Sequence, residues 1–216
     1  MEYFSFLKGK TMNTKPFHKK NQRTFLAVFA IVILLSATNA LAAAGSLDPT
    51  FGSNGVVTTK YNGLPSSANE VALQADGKIV VLGTVKLSDS QSSKIITRYN
   101  SNGTVDTSFG TNGSTLIDVN SFSGSKIALL PDGRVIVGGK SGEEFAAVRY
   151  NGNGTLDTSF GTNGLGVIDW GYSEIRQNLA EIMIQSDGKI FVVGDYTAGQ
   201  SNFTDIVFAR FNSKLE

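Results

Sequence analysis

Acidic residues recur at equivalent positions along this chain, and recurring carboxylates are the first place to look for chemistry. One set precedes a glycine in each case: Asp76, Asp132 and Asp187. A second set opens a motif that ends in Phe-Gly-x-Asn-Gly: Asp48, Asp106 and Asp157. Pairs of carboxylates carry out glycoside hydrolysis. An active site needs a feature that occurs once, however, so both sets are predicted to be turn residues that bond to nearby backbone.

The other common catalytic side chains are almost missing. The chain has no cysteine, and its one histidine is His18, near the N-terminus. Residues 45–216 therefore cannot provide Ser-His-Asp or Cys-His catalysis, nor a His-ligated metal site. We predict no enzyme activity and no catalytic, cofactor-binding or metal-binding residue. Which residues bind a ligand is unknown from the sequence.

Calcium is the one metal that the pattern leaves open as an alternative. Two segments place oxygen atoms around a glycine turn: Asn100, Asn102 and Asp106, and then Asn151, Asn153 and Asp157. An EF-type loop needs denser carboxylates and a bidentate glutamate, which are missing here. We therefore predict that these side chains bond to their own backbone.

An arginine recurs at the end of a strand-like run, followed by an aromatic residue and an asparagine. The three copies are Arg98-Tyr99, Arg149-Tyr150 and Arg210-Phe211. A ring of guanidinium groups would bind an anion, whereas a pair with the Asp of the following motif would be structural. The pair is the favoured interpretation, because repetition argues for structure. The three aromatic residues are predicted to be core.

Short strands must position these residues. Each Asp-Gly pair separates two strand-like runs, for example Glu70–Gln74 and the apolar run Ile79–Leu82. Asp-Gly between such runs predicts a hairpin, because both turn positions tolerate positive φ. Continuous apolar runs predict strands that are buried on both faces. No window after residue 45 has the periodicity of a helix.

The hairpin recurs with a period near 55 residues, and each period holds four predicted strands. Four-stranded units at such spacing are typical of propeller blades. We therefore predict an all-β fold, a β-propeller-like array of three four-stranded units over about 68–119, 124–170 and 178–212. A lone strand at 55–60 precedes them. It is the strand type that the third unit lacks, and it would complete that unit if the ring closes.

Three blades are fewer than the usual 4–8 of a closed propeller. Two chains that share one ring, an open stack of units, and a fragment of a longer array all fit the sequence. The first arrangement makes a homo-oligomer that completes the ring.

Residues 1–44 have the pattern of a secretory signal peptide. Basic residues precede the eleven-residue apolar run Phe25–Leu35, and A-x-A sites follow it. Eleven helical residues span only about half of the roughly 30 Å bilayer core, so cleavage near Ala42 to Ala44 is favoured over a membrane anchor. Met12 is a candidate for the true start. The remaining domain, 45–216, is predicted to be secreted, periplasmic or on the cell surface, with no membrane span after cleavage.

The charge distribution supports this division of the chain. The net charge is +1, but residues 1–44 hold six of the 19 basic residues and one of the 18 acidic ones. Residues 45–216 are therefore mildly acidic and lack the excess of basic residues that is typical of nucleic-acid binding.

Together, the three motifs resemble the delta-60 repeat family of bacterial proteins over about Ser46 to Asn212. Units of that family read roughly L-Q-x-D-G-K-I-x-V-x-G and then R-Y-x-x-x-G-x-x-D-x-x-F-G-x-x-G. The resemblance implies a propeller-like fold and a bacterial exported context, and it brings no enzymatic residues. Members usually carry more units, and Ser213–Glu216 departs from the expected continuation. Both departures favour the interpretation as a fragment.

The resulting hypothesis is an exported, non-enzymatic repeat module that binds a protein or glycan. The alternatives are a secreted carboxylate-dependent polysaccharide hydrolase or lyase of propeller fold, and a truncated fragment without a separate function. Variable features on a repeat framework usually carry recognition. Here the non-repeated features are Trp170, Tyr172, Glu174 and Arg176, with the insertions Lys86–Ser93 and Thr197–Thr204.

Overall fold

The computed structural model describes residues 45–119, 122–167, 175–198 and 205–212. They belong to one compact unit, Leu47–Glu216, apart from two residues that precede it. Within these ranges the chain forms eleven strands in three antiparallel sheets and no helix. The all-β prediction is therefore confirmed. The predicted signal peptide, 1–44, lies outside the described residues.

The first two sheets repeat one topology. The first has the strand order β1-β2-β3-β4, over Ser66–Leu73, Ile79–Lys86, Ser92–Tyr99 and Ser114–Ile117. The second has the order β5-β6-β7-β8, over Phe122–Leu129, Val135–Ser141, Glu144–Tyr150 and Leu165–Val167. The third has the order β11-β10-β9, where β9 is Ile175–Ile184, β10 is Ile190–Ala198 and β11 is Asp205–Phe211. A fourth strand is not found for it among the described residues.

The Asp-Gly hairpins form as predicted, but with a different turn. The Gln74 N–H donates to the Lys78 carbonyl, and the Gly77 N–H donates back to the Gln74 carbonyl. Gly77 has a φ of 83°, while Asp76 has no positive φ. This pattern is a type I turn followed by a glycine bulge, rather than a turn with two positive φ values.

The aspartates of the hairpins have the turn role that the sequence predicts. Asp76 Oδ1 accepts the Lys78 N–H at 3.1 Å. The same bond, at the same length, occurs from Arg134 to Asp132 and from Lys189 to Asp187. These three carboxylates therefore close the hairpins between the first two strands of each sheet.

Adjacent sheets pack face to face and bury two apolar clusters. The cluster between the first and second sheets includes Val80, Leu82, Ile96, Ile127, Val135 and Val137. The cluster between the second and third sheets includes Ile136, Ala147, Leu179, Ile182, Ile190 and Val192. The second sheet is thus covered on both faces, whereas the described residues cover one face of each end sheet.

This arrangement corrects the prediction for the apolar runs. In β6 every residue from Val135 to Gly139 is buried, as expected for a strand covered on both faces. In β2, by contrast, Val80 and Leu82 are buried while Ile79 and Val81 are only half-buried. Apolar runs of the same type therefore have different burial, because only the middle sheet has a neighbour on each side.

The lone strand predicted at 55–60 does not form. Val56 makes only single bridges, to Gly52 and Ser53, and residues 57–60 belong to no strand. In the first two sheets, the equivalent strand pairs with the third strand of its own sheet, as β4 pairs with β3. The third strand that lacks such a partner is β11, and it lies at the opposite end of the array. As far as the chain is described, the three sheets therefore do not close into a ring.

Gly139 of β6, which pairs with Gly124 of the edge strand β5, gives the first testable prediction. A Cβ at Gly139 would collide with the carbonyl oxygen of Ser123, at the bulge between Gly124 and Lys126. We expect Gly139→Ala to lower the free energy of unfolding by about 1–3 kcal/mol, because the backbone must shift. Gly152→Ala is the control, since its Cβ would meet nothing closer than 3.7 Å. Equal unfolding midpoints in denaturant for the two variants would contradict this account.

Candidate functional site

The recurring arginine and aspartate meet in a buried cluster at the end of β3. Arg98 Nε donates to Asp106 Oδ2 at 2.8 Å, and Nη2 donates to Ser108 Oγ at 3.1 Å. The guanidinium carbon lies 4.7 Å from the centre of the Phe109 ring. Each of the two charged residues is only 7% exposed. We call Arg98, Asp106 and Phe109 the first Arg-Asp-Phe cluster.

Local backbone geometry positions the carboxylate of this cluster. The Asp106 N–H donates to the Arg98 carbonyl at 2.9 Å. Its Oδ1 accepts both the backbone N–H of Ser108 at 3.1 Å and the Ser108 hydroxyl at 2.6 Å. A short Asp-x-Ser segment therefore directs the other oxygen, Oδ2, at the guanidinium, as expected for an Asx turn.

The same cluster also joins two sheets. Arg98 Nη1 donates to the Gly152 carbonyl at 2.6 Å, and the Gly110 N–H donates to the Asn153 carbonyl at 2.8 Å. Both acceptors belong to the turn that follows β7 in the second sheet. The Arg98–Asp106 pair is thus bonded within its own unit, and the bond from Arg98 Nη1 to the Gly152 carbonyl holds the neighbouring sheet.

A second cluster repeats this geometry one unit later. Arg149 Nε donates to Asp157 Oδ2 at 2.8 Å, and its guanidinium carbon lies 4.6 Å from the centre of the Phe160 ring. Arg134 Nη1 lies 3.6 Å from the same carboxylate oxygen. The predicted structural pairing is therefore observed in both of these units. We call Arg149, Asp157 and Phe160 the second Arg-Asp-Phe cluster.

The third arginine has a different environment. Arg210 is exposed, and among the described residues its side chain forms no ion pair, hydrogen bond or ring contact. The loop that would supply its partners in the repeat, Leu47–Gly55, lies beside the first sheet, where the Gly52 N–H donates to the Asn102 carbonyl at 2.8 Å. The sequence predicts three equivalent pairs, and the described part of the chain forms two.

The aromatic residues beside the arginines also differ. Tyr150 is buried between the first and second sheets, and this burial raises the pKa of its hydroxyl. Tyr99 and Phe211 are only half-buried, because they lie on or near the end sheets. The predicted core role is thus fully met only at Tyr150.

The carboxylates of the clusters make the stability sensitive to acid. The Ser108 hydroxyl lowers the pKa of Asp106, and the Ser108 N–H and Arg98 lower it further, while burial opposes them. A carboxyl with a lowered pKa contributes stability above its unfolded pKa of about 4 and loses that contribution as the pH falls through its folded pKa. We expect the unfolding free energy to fall with pH from about pH 4 downward.

Ser108→Ala isolates the contribution of Asp106 to this acid sensitivity. The variant removes the strongest influence that lowers the pKa, so its unfolding free energy should change less between neutral and acid pH. Denaturant titrations of both proteins at a series of pH values measure the two slopes. Identical slopes would show that the hydroxyl does not hold the pKa down.

The oxygen atoms considered for calcium are occupied by nearby backbone and hydroxyl donors. Asn102 Oδ1 accepts the Thr104 N–H at 3.0 Å and the Thr104 hydroxyl at 2.7 Å. Asn153 accepts the same two bonds from Thr155. In the described part of the chain, no group of three or more His, Cys, Asp or Glu residues could hold a metal ion.

A cleft of about 650 Å³ opens between the first two sheets, beside the clusters. Its lining is rich in hydroxyl and amide groups, including Ser108, Thr111, Thr115, Thr155 and Asn153, with the aromatic ring of Tyr61 at its side. Among the described residues that line it, Asp118 is the only one with a carboxylate, so a carboxylate pair is lacking there. We call this feature the inter-sheet cleft. The Thr111 hydroxyl, the Asn153 amide nitrogen and the Asp118 carboxylate lie at exposed positions of this lining and suit hydrogen bonding to a polar ligand.

Charged residues also meet along the first strands of the three sheets, β1, β5 and β9. Lys126 Nζ lies 3.8 Å from Glu70 Oε1 and 3.9 Å from Glu181 Oε2. Burial raises the pKa of Glu70, while the Ile127 N–H and Lys126 lower it and Glu181 raises it further. The three occupy equivalent positions next to the strand bulges. We call them the Glu-Lys-Glu line.

Sequence reasoning did not single out the Glu-Lys-Glu line. The three residues differ in type from unit to unit, so they do not stand out as a repeated motif. An alignment of the three units on their Asp-Gly pairs places them in one column, with charges that alternate in sign. That alternation is the signal that would have found them.

The structure describes only some of the non-repeated residues that the sequence indicated. Trp170, Tyr172 and Glu174 lie outside the described residues, and Arg176 belongs to β9. In the insertion Lys86–Ser93, the Lys86 ammonium pairs with Asp89 at 2.9 Å on the surface. The insertion Thr197–Thr204 is described only at its first two residues. As far as the two insertions are described, neither lines the inter-sheet cleft.

Comparison with known families agrees with this architecture. Three segments match the model of a family described as a domain of unknown function (DUF5122) beta-propeller: residues 74–109, 130–160 and 185–214. The first two matches begin at a hairpin and end at the phenylalanine of an Arg-Asp-Phe cluster. The chain is thus similar to a repeat family of the propeller kind. No curated protein matches it, and in the described ranges no helix is long and apolar enough to cross a membrane.

Proposed function

We propose that the protein is an exported, non-enzymatic module of the delta-60 repeat kind that binds a protein or glycan at the bacterial cell surface or in the extracellular space. The observation that carries the proposal is the contrast between the repeated charges and the inter-sheet cleft. The charges of both clusters are bonded within the fold. In the cleft, the described hydrogen bonds use Ser108, Thr115 and Thr155. They leave the Thr111 and Tyr61 hydroxyls, the Asn153 amide nitrogen and the Asp118 carboxylate for a ligand.

A glycan is the ligand class that fits the cleft best. Hydroxyl and amide groups both donate and accept hydrogen bonds, as the hydroxyls of a sugar require. Tyr61 adds an apolar ring face with a polar tip, a combination that suits one surface of a sugar ring. The single carboxylate among the described lining residues, Asp118, allows acceptance from a sugar hydroxyl without the paired acids of hydrolysis. A protein partner would instead need a broad surface with buried aromatic anchors.

Support for export comes from the sequence. The basic segment, the apolar run Phe25–Leu35 and the A-x-A sites form a signal-peptide pattern. A cleaved and exported chain would meet glycans at the surface, which agrees with the proposed ligand. Mass spectrometry of the protein from the outside of the cell would test this step. An N-terminus between Ala42 and Gly45 is expected, and retention of residues 1–41 would contradict it.

Calorimetric titration with polysaccharides tests the binding step. Neutral probes such as dextran, amylose and mannan are compared with acidic ones such as alginate. We expect binding of a neutral glycan, weakened at least about 10-fold by Asp118→Ala, because a hydrogen bond to a charged group is lost. Asp89→Ala is the matched control, as Asp89 is exposed and lies outside the cleft. Binding that is equal in both variants would exclude the cleft.

A carboxylate-dependent hydrolase or lyase is the second candidate, and the Glu-Lys-Glu line is the observation that favours it. A glutamate with a raised pKa can act as a general acid. The two glutamates, however, share one lysine, and each already has an ionic partner. Assays for reducing ends or for unsaturated products on the same polysaccharides test this alternative. Glu143, an exposed residue that pairs with Lys140 at 3.5 Å, supplies the control. Turnover that Glu70→Gln abolishes and Glu143→Gln preserves would overturn the non-enzymatic proposal.

A further inference from the structure

The two ends of the array expose apolar faces. On the first sheet, Val71 is 65% exposed and Leu73 is 70% exposed. On the third sheet, Ile206 is 80% exposed and Phe208 is 65% exposed, and the Phe208 ring stacks on the ring of Phe191. Contiguous exposed apolar surface of this kind marks an interaction site.

These two faces are the unpaired halves of an interface that the chain already forms twice, between the first and second sheets and between the second and third. Between the first and second sheets, Val80, Leu82 and Ile96 pack against Ile127, Val135 and Val137. Alignment of the units on their Asp-Gly and Arg positions places Phe191, Val193 and Phe208 of the third sheet where the first three residues lie. The same alignment places Val71, Ile79 and Val81 of the first sheet where the last three lie. The third sheet thus presents one half of the interface, and the first sheet presents the other.

The charged groups at the two ends are complementary in the same way. Asp48 Oδ1 accepts the N–H and hydroxyl of Thr50 at 2.9 and 2.7 Å, as Asp106 Oδ1 does from Ser108. This leaves Oδ2, the atom that binds arginine in both complete clusters. Phe51 follows at the spacing of Phe109 and Phe160. The first end therefore has the aspartate and phenylalanine of a cluster, and the other end has its arginine, Arg210.

We propose that two copies of this chain pair end to end, so that the third sheet of each copy packs on the first sheet of the other. Arg210 of each copy donates to Asp48 of the other copy and lies over its Phe51 ring. The segment after Gly55 then becomes the fourth strand beside β11. Two such contacts close a ring of six sheets, which lies within the usual range of propellers.

This proposal concerns the ends of the array and is independent of the ligand proposed for the inter-sheet cleft. The cleft lies between the first two sheets of one copy, so pairing leaves its lining in place apart from Tyr61, which follows the segment that moves. Further repeats of the same kind, or an unrelated partner, are the other possible occupants of the two faces. The charge pattern favours a second copy, because both halves of the missing cluster are carried by one chain.

Sedimentation equilibrium of the full chain tests the pairing. We expect a species with twice the 23.0 kDa mass of one chain. Arg210→Asp or Asp48→Arg should each weaken the pairing at least about 100-fold, because like charges then face each other in both contacts. Both residues are exposed in the single chain, so the variants should fold, and circular dichroism checks this.

A one-to-one mixture of the two variants is the most specific test of the proposed contact. In a one-to-one mixture, the arginine introduced by Asp48→Arg in one chain would face the aspartate introduced by Arg210→Asp in the other, and the second contact keeps its native charges. We expect the double mass to return in the mixture and in the double variant. Association through the apolar run Phe25–Leu35 would not respond to these changes. A wild-type monomer at all concentrations, a mass beyond two chains, or failure of the mixture to restore the pair would overturn the proposal.

Discussion

Arg98→Met is expected to lower the free energy of unfolding by about 3–5 kcal/mol, the cost of breaking a buried ion pair by removing one partner. The variant leaves the Asp106 carboxylate buried without its guanidinium. It also removes the bond to the Gly152 carbonyl, and therefore one link between the first two sheets. Denaturant unfolding followed by circular dichroism measures the change.

Arg210→Met is the matched control for this prediction. The residue type and its place in the repeat are the same, but Arg210 is exposed and forms no ion pair within the described residues. We expect a change within about 0.5 kcal/mol at dilutions where the chain is monomeric. Similar losses in the two variants would show that burial and pairing do not decide the contribution of these arginines.

Phe160→Ala is expected to cost about 3–5 kcal/mol, since it removes a large, fully buried side chain. The ring lies under the Arg149 guanidinium and belongs to the apolar cluster between the second and third sheets. Its loss should therefore uncouple the third sheet as well as leave a cavity. Unfolding free energies and hydrogen exchange at β10 amides measure both effects.

Phe208→Ala serves as the control for the buried ring. Phe208 lies on the outer face of the third sheet, so its loss from the monomer should change the unfolding free energy by no more than about 0.5 kcal/mol. An equally large effect at both positions would contradict the assignment of inner and outer faces.

The local parts of the fold were predictable because their determinants are close together in the chain. An Asp-Gly pair between two apolar runs specifies a hairpin over about ten residues. Arg98 and Asp106 are eight positions apart, and the turn between them brings the side chains together. The structural role of the repeated carboxylates therefore follows from spacing alone. The turn type was missed because only the glycine, and not the aspartate, takes a positive φ.

The missed features depend on which neighbours a sheet has. The apolar runs of β2 and β6 look alike in sequence, yet only β6 has a sheet on each face. The strand expected at 55–60 has the right residues, but the free edge in its own chain, β11, lies at the opposite end of the array. The bond from Arg98 to the Gly152 carbonyl joins positions 54 residues apart and involves a backbone acceptor, which carries no signal in the sequence.

The central claim is that the repeated charged residues hold the sheets together and are not a site of chemistry. A double-mutant cycle of Arg98→Met and Asp106→Ala tests it most directly, with Arg210→Met and Asp48→Ala as the parallel cycle in the monomer. The account predicts strong coupling in the first cycle, with the double variant far more stable than the sum of the single losses implies. It predicts coupling near zero in the second. Additive losses at Arg98 and Asp106 would contradict the claim.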